Sequence, residues 1–156
     1  LNHVTEIGLI RSSLPGYASL AVYPYEKEEI VAICKPDHPL MQKGDILDIA
    51  QLADYPLAVP FDCLDLVRSS FGHRLLAPNI SIITSSNATA IEWARSFGTV
   101  ALASLTTADF QHIKDLAVKH FSDDNLFITS AFIVNKEYPL SRAARNFLGF
   151  HGVDVG

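Results

Sequence analysis

Six histidines, two cysteines and scattered hydroxyl and carboxyl groups are the residues of this chain able to do chemistry. His38 has the most distinctive setting, Pro-Asp-His-Pro-Leu directly after an apolar run. Asp37 could orient its imidazole, and such a pair is half of a relay that activates a nucleophile. No nucleophile stands near it, so the stretch reads as turn chemistry: Asp37 and His38 bond local backbone and Pro39 sets the exit direction. The other histidines, His3, His73, His112, His120 and His151, form neither a His-x-His nor an i, i+4 pair, so zinc has no spacing signature. Asp123-Asp124-Asn125 opens like a calcium loop but lacks the glycine and closing glutamate of one, and reads as a solvated turn. Cys34 and Cys63 are too few and too separated for a disulfide scaffold. They read as small buried hydrophobes, a redox pair being the lesser alternative. Phosphate-loop, dinucleotide and nucleophile-elbow patterns are absent, so no catalytic set, cofactor site or metal site is expected.

The polar residues that remain stand where strands end. Arg11, Ser12 and Ser13 follow one apolar run, Phe61 and Asp62 another, Ser85 to Asn87 a third, and Ser104 a fourth. Taken singly, each fits simple capping. Taken together they fit ligand binding, because in open α/β sheets ligands lie outside the carboxyl ends of strands, where helix starts offer free N–H groups.

Those positions depend on the elements between them. "TEIGLI" reads as a strand apolar enough to be buried on both faces, and "SLAVYPY" and "EEIVAICKP" as two consecutive strands. "GDILDIAQLADYP" predicts a helix of a few turns capped by Asp45 or Asp48 and limited by Pro56, and "LAVP" a minimal buried strand. "DCLDLVRSSF" predicts a helix with Leu64, Val67 and Phe71 inward and Gly72 closing it. After the strand "ISIIT", "SSNATAIEWARSFG" is the clearest helix, with Ser85, Ser86 or Asn87 as cap, Ala90, Ile91, Ala94 and Phe97 inward, and Gly98 as stop. "TVALA" is a strand, "SLTTADF" a short capped helix, and "LAVKHF" and "NLFITSAFIV" two more strands. "PLSRAARNFLGF" starts a last helix at Pro139, with Leu140, Ala144, Phe147 and Leu148 on one side.

This alternation predicts an α/β fold with mostly parallel sheets covered on both faces. Adjoining strands before residue 36 and after residue 115 mark crossings between two lobes. One lobe spans 36–120, and residues 1–35 with 121–156 supply the hinge strands and the rest of the other. A buried first strand needs neighbours that nothing before it supplies, so that lobe reads as incomplete and the chain as a fragment or as one that has lost an N-terminal part.

Twelve basic against seventeen acidic residues give a net charge of −5, and no basic run could track a phosphate backbone. Direct nucleic-acid binding by these residues is not expected. No apolar run reaches the ~18 residues of a membrane span, and the start lacks the pattern of a signal peptide, so a cytoplasmic location without membrane contact is the expectation.

The ordered set of these segments resembles the effector-binding domain of LysR-type transcriptional regulators. The resemblance rests on "EEIVAICKPDHPLMQKGDILDIAQLADYPLAVP", with His38-Pro39-Leu40 and Leu52-Ala53-Asp54-Tyr55-Pro56, on "NATAIEWARSFGTVALAS", and on "FIVNKEYPLSRAARNFLGF". It implies a two-lobed fold like type 2 periplasmic binding proteins, with the effector in the interlobe cleft and the His38 loop as structure. By position it suggests Arg11, Ser12, Phe61, Asp62, Asn87, Ala103 and Ser104 as cleft residues, with Phe132 as floor. Ala103-Ser104 departs from the proline usual there. The winged helix-turn-helix, linker helix and first strand-helix unit of lobe I are absent. DNA contact would then come only through an N-terminal domain outside this sequence, and self-association as dimer or tetramer is implied. A likeness to opine-responsive members suggests an amino-acid-derived effector. The alternatives are a solute-binding protein for uptake, sharing the fold, and an enzyme on a related fold.

Overall fold

A computed structural model describes residues 5–12 and 18–156, with only the backbone of Ser12. Ser13, His3 and most of the loop expected after the first strand lie outside the described residues. The chain divides into two units, Leu1–Lys27 with Thr129–Gly156, and Glu28–Ile128. Strands β2 (Leu20–Cys34) and β8 (Phe127–Asn135) each contribute to both. The divisions thus fall inside strands that the sequence assigned wholly to the outer segments.

The larger unit is built on β3 (Ile46–Leu47), β4 (Leu57–Pro60), β5 (Ile80–Thr84), β6 (Val100–Leu105), β7 (Ala117–Phe121) and the second half of β2. Its strands run in the order β2-β6-β4-β5, with β7 beside β2 and β3 beside β7. Pairing is parallel for β4 with β5 and β6, and for β3 with β7. It is antiparallel where β2 meets β6 and β7. The sheet is therefore mixed, with β2 running against both of these neighbours.

Successive strand residues face opposite sides, and both sides are covered. Ile30, Ala32, Cys34, Leu57, Val59, Val100 and Leu102 pack on one face with Leu64, Val67 and Phe71 of helix α1 (Leu64–His73). On the other, Val31, Ile33, Ala58, Ala101 and Ala103 pack with Ala90, Ile91 and Ala94 of helix α2 (Asn87–Phe97). The alanines on the α2 side let helix and sheet approach closely. Gly98 ends α2 at φ 69°, the left-handed conformation that favours glycine.

The smaller unit pairs β1 (Ile7–Ser12) antiparallel with β8, which lies beside β2. Phe132, Val134, Leu148 and Val153 form its core, with Leu148 from helix α3 (Arg142–Phe150). Gly8 faces Ile133 so closely that a Cβ would lie 2.8 Å from its side chain.

Several expectations are corrected. β1 is not buried on both faces: Leu9 is 64% exposed on a strand paired on one side among the described residues. "SLAVYPY" and "EEIVAICKP" form one fifteen-residue strand whose exposed stretch at residues 24–27 reads as a break only in sequence. The helix expected over "GDILDIAQLADYP" is a 3-10 turn, Ile49–Leu52, closed by a capping box between Asp48 and Gln51. "SLTTADF" likewise yields only a 3-10 turn, Asp109–His112. Gly72 lies within α1, and the left-handed residue beyond is Leu75 at φ 56°. α3 starts at Arg142 under Ser141 as cap, later than Pro139. Phe97 and Phe147 are 67% and 47% exposed, since the helix faces are narrower than the sequence stripes.

Candidate functional site

The carboxyl ends of β4, β5 and β6 meet three polar segments in the larger unit. β4 ends at Pro60 and turns directly into the 3-10 turn Phe61–Cys63. Phe61 is 73% exposed, Asp62 is exposed, and Cys63 is buried. β5 ends at Thr84, whose Oγ1 donates to Ser86 O at 2.8 Å and sets the approach to α2. Ser86 is the cap: its Oγ accepts from Thr89 N at 3.2 Å. Asn87 is then the first helical residue, and its side chain is released from capping duty.

That side chain reaches across to β6. Asn87 Nδ2 donates to Ser104 O at 2.7 Å and to Ser104 Oγ at 3.3 Å. The carbonyl partner fixes which end of the amide carries hydrogens, so Oδ1 points elsewhere, and it is buried without a partner. A buried amide oxygen left so is costly unless something supplies a donor. Cys63 joins the same cluster, since it hydrogen-bonds Ser104 and its Sγ donates to Asp62 Oδ1 at 3.7 Å. Burial, followed by the Asp62 charge, pushes the Cys63 thiol up to about 12. It stays protonated and is no nucleophile at neutral pH.

Asp62, Asn87 and Ser104 are thus brought into one linked group, with Phe61 beside Asp62. Ala103 is a correction: it is 0% exposed and packs beneath α2, so its side chain offers this surface nothing. Ser104 is itself 1% exposed and acts by holding Asn87. In the smaller unit, Arg11 pairs across β1 with Ser130, and Ser12 with Thr129. Phe132 is 5% exposed and stacked on Tyr25 at 4.6 Å, with Phe147 and His151 against it. As a floor open to ligand it is corrected by that packing.

The groups set aside as non-catalytic have clear duties. His38 caps the 3-10 turn Pro39–Gln42, its Nδ1 accepting from Leu40 N at 3.0 Å. Burial lowers its pKa, against a smaller opposing pull from Asp37. Asp123 is no solvated turn residue: its side chain is 6% exposed and accepts from Ser70 and Arg74. Reasoning from sequence missed Cys63 as a link in the cluster. It also missed Lys119, a buried lysine whose Nζ donates to Lys43 O and Gly44 O. Neither has a spacing signal, because both depend on packing between distant segments. Among the described residues no group of three His, Cys, Asp or Glu could hold a metal ion. No helix among them is long and apolar enough to cross a membrane.

The sequence profile of the LysR substrate binding domain matches residues 2–151. The chain belongs to that family. No curated protein matches it. Among solved structures it is similar to the effector binding domain of QuiR in complex with shikimate, with TM-score 0.77, 18% identity, and coverage of 94% of this chain and 69% of that one. The cofactor-binding domain of the Cbl transcriptional regulator gives TM-score 0.77 at 17% identity over 96% and 68%. The regulatory domain of MetR, a LysR family regulator from N. meningitidis, gives 0.74 at 17% over 96% and 69%. Membership in the family makes this an effector-sensing regulatory domain with the expected α/β fold, and favours that reading over solute uptake.

Proposed function

We propose that the strand-end cluster of the larger unit recognises the effector, a small metabolite carrying both a carboxylate and an N–H donor, as an amino-acid derivative does. The observation that carries this is the buried, unpartnered Asn87 Oδ1 within the cluster that includes Asp62. Both groups accept hydrogen bonds, so they suit an ammonium. The start of α2, with Ser85 and Ser86, suits a carboxylate through its N–H groups and positive partial charge. Phe61, 73% exposed, would cover an apolar part of the ligand. The shikimate in the QuiR effector domain supports a small polar anion on this fold.

The domain then senses without turnover in the cytoplasm. DNA contact would come from an N-terminal domain outside this sequence, and self-association would transmit the effector signal. A thermal-shift screen against amino acids, opines, aromatic acids including shikimate, and sugar phosphates tests the reading. A ligand at a hundred times its dissociation constant adds about 2.7 kcal/mol to stability, which appears as a raised Tm. Asp62→Asn and Phe61→Ala should abolish the shift by an amine-bearing hit. A hit unaffected by both would place recognition elsewhere.

A further inference from the structure

A second depression lies on the α2 side of the larger unit, between that helix and the 3-10 turn Asp109–His112, with a volume of about 290 Å³. Its floor is apolar, formed by Ile91, Leu105 and Ile113, each under 9% exposed. Its rim carries Glu92, Asp109 and His112. That combination of apolar floor and few polar groups is the usual make-up of a small-molecule pocket, and the volume is at the small end of their range.

The charge on the rim decides what could sit there. Arg95 also lines the groove, but its guanidinium is spent: Nε and Nη2 bond Asp115 at 2.7 and 3.1 Å, and Nη1 bonds Glu92. Arg95 is thus matched by Asp115, which is outside the lining, and the two lining carboxylates, Glu92 and Asp109, leave the groove acidic. Asp109 Oδ2 accepts from Thr106 N and Oγ1 at 2.8 and 2.9 Å, which ties the 3-10 turn down and gives the groove a fixed wall. Excess negative charge and acceptors above an apolar floor select a cation with an apolar body.

We infer that the groove between α2 and residues 109–113 is a separate binding site for small hydrophobic primary amines. Glu92, Asp109 and the apolar floor carry this site, and Asp62 with Phe61 belong to the effector cluster; Asn87 borders both, so changes at Glu92 and at Asp62 are the ones that separate them.

The test is a titration of the full chain with phenethylamine, followed by two-dimensional amide NMR, with phenylacetate as the anionic control of similar shape. Phenethylamine should shift the amides of Ile91, Leu105 and His112 with saturation in the millimolar range. Phenylacetate should bind at least 10-fold more weakly. Ala88→Phe, a change at an exposed position of α2 that lines the groove, should abolish the shifts while leaving Tm within a few degrees. Glu92→Gln should weaken amine binding several-fold without affecting phenylacetate. Asp62→Asn should leave amine binding at this groove unchanged, which separates this site from the effector cluster. No saturable shift, shifts centred on residues 61–63, or equal binding of amine and carboxylate would each overturn the inference.

Discussion

Replacing Asn87 by aspartate keeps the shape of the side chain and changes one property, the donor. In the native protein the amide nitrogen lies 2.7 Å from Ser104 O. A carboxylate there presents oxygen to oxygen. The lost bond costs about 1 kcal/mol, and taking its donor from a nearly buried carbonyl about 1–3 more. The new negative charge at the first position of α2 recovers about 0.3–1 kcal/mol from the helix dipole. Those terms leave a net loss of about 2 kcal/mol at pH 7, to which the oxygen–oxygen repulsion adds; Asn87→Ala loses the same bond and donor but brings no repulsion and removes the unpartnered Oδ1, so it should be the milder of the two changes. The pH dependence follows from the same geometry. Protonated aspartic acid can donate to Ser104 O, so its folded pKa should rise above the unfolded value of about 3.9. The variant's stability relative to the native chain is then greatest below that unfolded value and is lost as pH rises through the folded one. Urea denaturation at pH 4 and pH 7 reads this out through Trp93, the single tryptophan, which sits on α2. Asn87→Asp as stable as Asn87→Ala at pH 7, or a deficit that fails to shrink at pH 4, would refute the placement of the Asn87 amide.

Four further outcomes are expected. His38 accepts from Leu40 N through an unprotonated ring nitrogen, and burial lowers its folded pKa below the ordinary 6.5; stability should be fully present above pH 6.5 and fall as pH drops through the interval below it. His38→Asn, which keeps an acceptor without titrating, should flatten that slope in a denaturation series from pH 5 to 8. Cys63, with its thiol at about 12 and its side chain buried, should resist iodoacetamide at pH 8 in the folded chain and react readily in urea, as mass spectrometry would show. Gly98→Ala should cost about 1 kcal/mol in urea denaturation. A Cβ at Gly98 meets nothing within 4 Å, so the positive φ alone is responsible. Lys119→Met should lower stability by about 2 kcal/mol, because two carbonyls lose a charged donor. Its ion partner Asp45 is 98% exposed and contributes little, so Asp45→Asn should be near neutral by the same assay.

The larger unit was legible because each of its central strands is buried on both sides and each helix carries its own punctuation. Ser86 and Gly98 bracket α2 in sequence as they do in space. What failed were inferences from local contrast. Glu26 and Lys27 separate the two strand readings in sequence, yet β2 continues through them. Chain polarity cannot separate a turn from the exposed part of a strand when the backbone bonds are made by distant residues. The short helices after Gly44 and Ser104 reduced to 3-10 turns for a related reason. Too few residues were available to repay the nucleation of a full helix.

For the candidate site, position along the strand and resemblance differ at Ala103. The rule that ligands gather at strand ends brought Asp62, Asn87 and Ser104 into one linked cluster. Ala103 entered only by matching, and strand parity already argued against it. Neighbouring residues of a strand face opposite sides, so Ala103 and Ser104 cannot both present side chains to one ligand. Ala101 and Ala103 share the face that receives Ala90 and Ala94, a pattern of small residues suited to close helix packing. Cys63 lay beyond this kind of reasoning. Its place between Asp62 and Ser104 arises where the turn after β4 meets the end of β6, a juxtaposition set by strand order and carried by no spacing within either segment.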